Sequence, residues 1–330
     1  MKKNIAVIGD GGWGTTIAIL LAGKGHEVTL WGAFPDYIEV LKKERVNKKF
    51  LPDIKIPREV NITSGLAPVK EAEIVCIAVP SKYLRKELKG LKGNIKGEIV
   101  SLTKGIEEET LLRPSEIIKE ILGAAQKITV LSGPSISYEV VRKMPTTVIA
   151  ASENEKTAKG VQDIFATPYF RVYTSEDVTG VELGGALKNI IAIAAGISDG
   201  MGFGINTKSA ILTRGLAETI RLGLKLGAKK ETFFGLSGLG DLATTCMSAH
   251  SRNRRFGEEI GKGKRLEDIL KSTQMVVEGI TTAKSAYSLS KKVSVEMPII
   301  EKIYEVLYEE KNSRVAVKEL MGRAQKTEKV

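Results

Sequence analysis

The sequence predicts two domains, a doubly wound parallel α/β domain over residues 1–182 and an all-α domain over residues 183–330. Three observations predict this. Short β-rich apolar runs alternate with helical stretches through the first half, which is the pattern of βαβ units. A glycine-rich turn, Gly9-Asp10-Gly11-Gly12-Trp13-Gly14, joins the first of these runs to a helical stretch. From Leu183 onward the alternation stops and only helical texture remains.

The elements follow in order. Ile5–Ile8 is a continuous apolar run, as expected of a strand buried on both faces. A helix rich in Ala, Ile and Leu follows over about Thr15–Gly23, and Val28–Trp31 is the second strand. Further strands are expected at Ile74–Val79, Ile99–Leu102, Ile128–Leu131 and Thr147–Ala150, with Arg171–Tyr173 at an edge. Helices are expected at Leu187–Ala195, Ala210–Leu226, Leu266–Leu270, Ala283–Leu289 and Ile299–Leu307.

Composition limits the function classes. A chain of 330 residues with 42% hydrophobic content is long enough for two cored domains and is not disordered as a whole. Two cysteines, Cys76 and Cys246, exclude a disulfide scaffold and fit a reducing compartment, and two histidines argue against a His-rich metal site. No metal is expected. The N-terminal apolar stretch is too short for a secretory signal, and no uninterrupted run has the length of a membrane span, so a soluble cytoplasmic protein without membrane insertion is expected. The net charge of +11 is uneven, +3 over residues 1–182 and +8 over residues 183–330. That excess admits a polyanion binder, but the basic residues are not interleaved with aromatics, which make up only 5% of the chain, so nucleic acid is not an expected partner.

The glycine turn matches G-x-G-x-x-G in the context the motif requires, after a buried strand and before a helix. Gly9 would make the tight turn, Gly11 would let backbone approach a pyrophosphate, and Gly14 would allow close helix–strand packing, as in a Rossmann dinucleotide site. The stretch Leu30-Trp31-Gly32-Ala33-Phe34 carries neither the acid that binds the NAD ribose nor an Arg for the NADP 2′-phosphate, so NAD and NADP both stay open. Hydride transfer also needs a general acid/base. His26 lies in a turn at the wrong end of the second strand, and His250 is better placed beside Ser251 but open to a packing role. Lys188 lies in the nearly charge-free stretch GGALKNIIAIAAG, where it either desolvates, with a lowered pKa, or snorkels to solvent. Ser251-Arg252-Asn253-Arg254-Arg255 suits phosphate oxygens, and Lys104 follows a strand at its carboxyl end; a solvated basic surface is the alternative for both. Gly133-Pro134-Ser135 is a turn or a substrate loop, and Asp241 either orients a lysine or caps a helix.

These blocks, GDGGWGTTIA, SLTKGIE, GPS, ELGGALKNIIAIAAG, GLSGLGDLATTC, SAHSRNRRFG and VVEG, occur in one order over nearly the whole chain. In them the sequence resembles bacterial NAD(P)-dependent glycerol-3-phosphate dehydrogenases. The resemblance implies interconversion of dihydroxyacetone phosphate and sn-glycerol 3-phosphate for phospholipid synthesis, NAD or NADP as cofactor, a small phosphorylated substrate and a homodimer. It implies Lys188 as the proton acceptor and Lys104, Gly133, Ser135, Asp241, Ser251, Arg252 and Asn253 as substrate contacts. Gly9, Gly11, Gly12, Trp13, Gly14, Lys104, Ser137, Arg252, Val276 and Glu278 are implied as cofactor contacts. Ala33 and Phe34 stand where the family often has Arg or His, Gly12 replaces a common Ser or Ala, and Tyr138 replaces a common Lys or Glu. Three alternatives remain open: a hydroxy-acid dehydrogenase of similar architecture, a nucleic-acid binder, and a dinucleotide sensor without turnover.

Overall fold

The computed structural model describes residues 1–272, 276–325 and 327–328. They form two compact units, one of Met1–Thr103 with Pro114–Val178 and the other of Lys104–Arg113 with Thr179–Val330. The expected boundary after residue 182 falls inside a continuous helix, Val178–Gly200, and the segment Lys104–Arg113 groups with the helical unit.

The first unit is an eight-stranded sheet with a separate two-stranded ribbon. The strands are β1 (Asn4–Ile8), β2 (Glu27–Trp31), β3 (Val46–Asn47), β4 (Leu51–Lys55), β5 (Val60–Thr63), β6 (Ile74–Ile77), β7 (Glu98–Ser101), β8 (Ile128–Ser132), β9 (Thr146–Ala151) and β10 (Phe170–Ser175). Their order in the large sheet is β10-β9-β8-β7-β6-β1-β2-β5, with β3 and β4 pairing as the ribbon. The order reverses at β1, where the chain crosses from β1–β2 to β6; this is the topological switch point at which open α/β sheets bind ligands. Ile5, Val7, Leu30, Cys76 and Val100 are buried among the helices, which explains the uninterrupted apolar runs.

Every expected strand is present, with the third ending at Ile77 rather than Val79. One pairing departs from a fully parallel sheet: β9 runs antiparallel to β8. The intervening chain returns through a single short helix, Ser137–Val141, without a crossover to the other end of the sheet. The whole Gly133–Ser137 loop therefore lies at the carboxyl end of β8. The ribbon and β5 escaped the sequence reading because they are short and polar, β4 carrying Pro52 and Asp53.

The second unit is helical. Its axis element is Val178–Gly200, in which Gly180 to Ser198 are all buried. This helix is long and apolar enough to cross a membrane by length and composition, but 94% of its apolar window is buried in the fold. The expected helices are all present and run longer than read, as Ile205–Lys225, Leu266–Ser272, Glu278–Lys292 and Pro298–Tyr308. Helix Arg252–Gly261 packs on the axis helix through reciprocal glycines. A Cβ on Gly196 would lie 1.9 Å from the Arg254 carbonyl oxygen, and one on Gly257 would lie 2.1 Å from that of Ile193. Ser285 donates to the Ile106 carbonyl (2.9 Å), and Arg113 pairs with the buried Glu182 (2.6 Å), tying Lys104–Arg113 to the helices.

Candidate functional site

The glycine turn sits at the carboxyl end of β1. Gly9 adopts φ +114° beneath Ala78, whose carbonyl oxygen would lie 2.7 Å from an added Cβ, so only glycine suits this corner. A Cβ on Gly14 would fall 1.9 Å from the Gly9 carbonyl oxygen, which fixes close strand–helix packing. Gly11 is different: nothing described lies within 4 Å of its Cβ position. It is the N-cap of helix Gly12–Gly23 and offers no side-chain cap, leaving the first-turn amides to an external acceptor. A cradle closed at Gly9 and Gly14 and open at Gly11 fits a dinucleotide pyrophosphate. Trp13 packs half-buried against the core of this unit. Thr16 donates to the Ser137 carbonyl (3.4 Å), which brings the loop after β8 against the same helix. Within that loop Gly133 has φ +130°, and the Ser135 hydroxyl donates back to its carbonyl (2.9 Å).

In the helical unit Lys188 is 8% exposed, so it desolvates rather than snorkels. Its ammonium donates to Asp241 Oδ1 (2.5 Å) and Thr245 Oγ1 (2.9 Å). Lys104 donates to the other oxygen of the same carboxylate, Oδ2, at 2.6 Å. Two ammonium groups thus share one buried carboxylate, an arrangement that gathers positive charge suited to an anion or a developing oxyanion. Burial lowers the Lys188 pKa to about 8, with Asp241 opposing the shift and Lys104 adding to it.

Local sequence explains the meeting. Gly184 lacks a side chain where one would lie 2.5 Å from the Ser237 carbonyl oxygen, so the Gly-rich segment 236–240 closes onto the helix one turn before Lys188. That segment forms a π-helical turn, Leu236–Gly240, and Asp241 opens the next helix, Asp241–Met247. The N-cap is Gly240, and the Asp241 carboxylate holds the two lysines. Thr245 was missed by sequence reasoning. Its signal was its spacing, one turn after Asp241, with its hydroxyl donating to the Asp241 carbonyl (2.6 Å).

A second polar cluster abuts the first through Asn189. Asn253 donates to Asn189 Oδ1 (2.8 Å) and accepts from the Gly279 amide (2.9 Å). Among the described residues one of its two amide hydrogens has no acceptor. Ser251 caps helix Arg252–Gly261 by accepting from the Arg254 amide (3.2 Å). Arg252 is exposed and donates to the Val276 carbonyl (3.1 Å), which places Val276 and the half-buried Glu278 on this side of the unit. Arg254 instead pairs with Asp199 (2.7 Å), a structural role. His250 is exposed, and His26 accepts from the Lys3 amide (3.2 Å) at the amino end of β2, away from the glycine turn. Among the described residues no group of three or more His, Cys, Asp or Glu side chains is gathered as a metal site would require.

The profile of the NAD-dependent glycerol-3-phosphate dehydrogenase N-terminus matches residues 4–158, and that of the C-terminus matches residues 177–318. The chain is 51% identical to a glycerol-3-phosphate dehydrogenase [NAD(P)+] of Citrifermentans bemidjiense, over the full length of both. It is 53% identical to that of a Thermoanaerobacter species, over 98% of both. The crystal structure of glycerol-3-phosphate dehydrogenase from Coxiella burnetii superposes with a TM-score of 0.94 at 37% identity, covering 98% of this chain and 99% of that one. A ketopantoate reductase from Ralstonia eutropha shares the fold alone, at 15% identity and a TM-score of 0.62. With both profiles matched in order and the relatives aligned end to end, the chain belongs to the NAD-dependent glycerol-3-phosphate dehydrogenase family.

Proposed function

We propose that the protein reduces dihydroxyacetone phosphate to sn-glycerol 3-phosphate, and catalyses the reverse oxidation, with NAD(P)H or NAD(P)+. The carrying observation is the buried Lys188–Asp241–Lys104 cluster with Thr245. Its support is the name carried by full-length relatives near 50% identity.

Bound at the glycine turn, the nicotinamide cofactor supplies or accepts the hydride. Gly11 and the first-turn amides of helix Gly12–Gly23 hold its pyrophosphate. Gly9, Gly12, Trp13, Gly14 and Ser137 would be further cofactor contacts of the first unit, and Val276 and Glu278 would be those of the second. In the reductive direction the Lys188 ammonium polarises the substrate carbonyl oxygen and gives it a proton as the hydride reaches the carbon. Asp241 and Thr245 hold Nζ in place, and Lys104 adds a second positive charge beside the developing oxyanion. Ser251 at its helix N-terminus, Arg252 and the remaining Asn253 amide hydrogen bind the phosphate, with Gly133 and Ser135 as further substrate contacts. The product suits phospholipid synthesis. The same reading carries a soluble, cytoplasmic homodimer, tested by light scattering for twice the 35.8 kDa chain mass.

The direct test is an initial-rate assay of dihydroxyacetone phosphate reduction with NADH and NADPH side by side. Turnover dependent on the phosphate ester supports the reading. Preference for a 2-keto acid would replace it with a hydroxy-acid dehydrogenase.

A further inference from the structure

The end of β2 lacks the acid that selects NAD, yet a carboxylate occupies that place from elsewhere in the chain. After Trp31 the chain continues as Gly32, the exposed Ala33 and Phe34, the last 70% exposed. A Cβ on Gly32 would lie 2.9 Å from both Cγ and Oδ2 of Asp10. The carboxyl group of the glycine turn therefore lies directly on the glycine that follows β2. The Gly9 amide donates to the Trp31 carbonyl (2.9 Å), which pins the turn to the strand at this point.

Asp10 is held firmly. Its carbonyl accepts from Asn47 Nδ2 (2.8 Å), and Asn47 accepts from the Tyr37 hydroxyl (2.7 Å) and donates to Thr15 Oγ1 (2.8 Å). Oδ2 is buried with no protein hydrogen-bond partner among the described residues, while the residue as a whole is half-buried. Asp10 keeps partial access to solvent, so a ribose hydroxyl would meet the carboxyl group at its accessible edge, while Oδ2 stays packed against Gly32. Burial raises the Asp10 carboxyl pKa, and the charge of Lys49 opposes this.

We propose that Asp10 is the cofactor-specificity residue of this enzyme: its carboxylate accepts from the adenosine ribose 2′-hydroxyl, favours NAD(H), and repels the 2′-phosphate of NADP(H). This rests on the dehydrogenase reading and adds to it a choice between the two dinucleotides. The acid that usually projects from the end of the second strand is here supplied by the first x of G-x-G-x-x-G, and Gly32 leaves room for it.

The test is direct binding of NADH and NADPH to the full-length protein by titration calorimetry, for the wild type, Asp10→Asn, Asp10→Ala and Gly32→Ala. The last variant leaves Asp10 in place but crowds its carboxyl, together with Ile38 Cδ1, which would lie 2.6 Å from the added methyl. The wild type is expected to bind NADH roughly tenfold or more tightly than NADPH, the loss of a charged hydrogen bond being of that size. Each variant is expected to narrow that ratio, with the Asp10 variants gaining affinity for NADPH. Equal or tighter binding of NADPH by the wild type overturns the inference and points to Lys49 as a phosphate ligand. An unchanged ratio in both Asp10 variants, with binding retained, overturns it while leaving the dehydrogenase reading intact. Failure of the wild type to bind either dinucleotide overturns both.

Discussion

A single carboxylate sets the chemistry of two lysines. Removing the Lys188 side chain is expected to lower kcat by about 10²–10⁴-fold, the usual worth of a positioned general acid. Cofactor affinity should be retained, and a near-normal kcat in Lys188→Ala would remove the lysine from proton transfer. In the proposed mechanism Lys188, with its pKa near 8, is protonated for reduction and neutral for oxidation. Reduction should therefore decline, and oxidation rise, as pH passes through about 8. Asp241→Asn removes the charge that holds the ammonium form, so both limbs should move to lower pH; pH–rate profiles in the two directions decide it. Arg252→Ala is expected to raise KM for dihydroxyacetone phosphate by about tenfold or more with a smaller change in kcat, a charged hydrogen bond to phosphate being worth that much. If the variant still discriminates the phosphate ester from dihydroxyacetone as the wild type does, Arg252 is not the clamp. At this scale the sequence was readable where chemistry forces a residue type: a lone lysine in an apolar helix and a glycine corner. The Lys188–Thr245 contact and the placement of Asp10 against Gly32 were hidden because each joins separate segments of the chain, and the local spacing of Thr245 after Asp241 was the one available signal.

Elements were readable where burial is two-sided. Continuous runs such as Ile5–Ile8 and Ile128–Leu131 announced their strands, whereas β5 and the β3–β4 ribbon carry polar and proline residues and were silent. The antiparallel β9 was equally hidden, since a strand's direction depends on its connection and not on its own residues. One helix terminus depends on a distant side chain. Buried Glu218, on helix Ile205–Lys225, accepts from the Ile299 and Ile300 amides (2.8 and 3.2 Å) at the start of Pro298–Tyr308. Burial lifts its pKa to about 7, the two amides opposing the rise. The folded state thus holds a proton that the unfolded state, with an ordinary carboxyl near 4.5, releases. Its contribution is greatest below about pH 4.5 and is lost as pH rises through about 7. Glu218→Gln should flatten that part of the stability-against-pH curve, read as Tm from pH 4.5 to 8. A slope equal to that of the wild type would assign the dependence to other groups.

For the whole molecule, the charge excess finds specific use in few places. Lys104 and Lys188 face one carboxylate, and Arg252 lies at a helix start. The other basic residues paired on the surface, such as Lys159 with Asp163, are solvated and worth little each. Lys104 lies on the segment that the Arg113–Glu182 pair and the Ser285–Ile106 bond tie to the helices, and the Glu182 side chain is 1% exposed. Arg113→Ala removes this ion pair from a buried carboxylate and should destabilise the protein by about 3 kcal/mol. Substrate KM should rise in the surviving folded fraction while NADH affinity holds; unchanged KM would mean that the segment is anchored by other contacts. This arrangement also bears on how such a chain could have been assembled. Cutting the coding sequence after Val178 and grafting the remainder onto another nucleotide-binding half would leave Lys104 behind, together with the strand-to-helix excursion that carries it. A recombinant inheriting Lys188 and Asp241 would keep one lysine on that carboxylate in place of two. The halves are therefore poor currency for gene shuffling, and changes in one are expected to be inherited together with the ten-residue excursion that the other contributes.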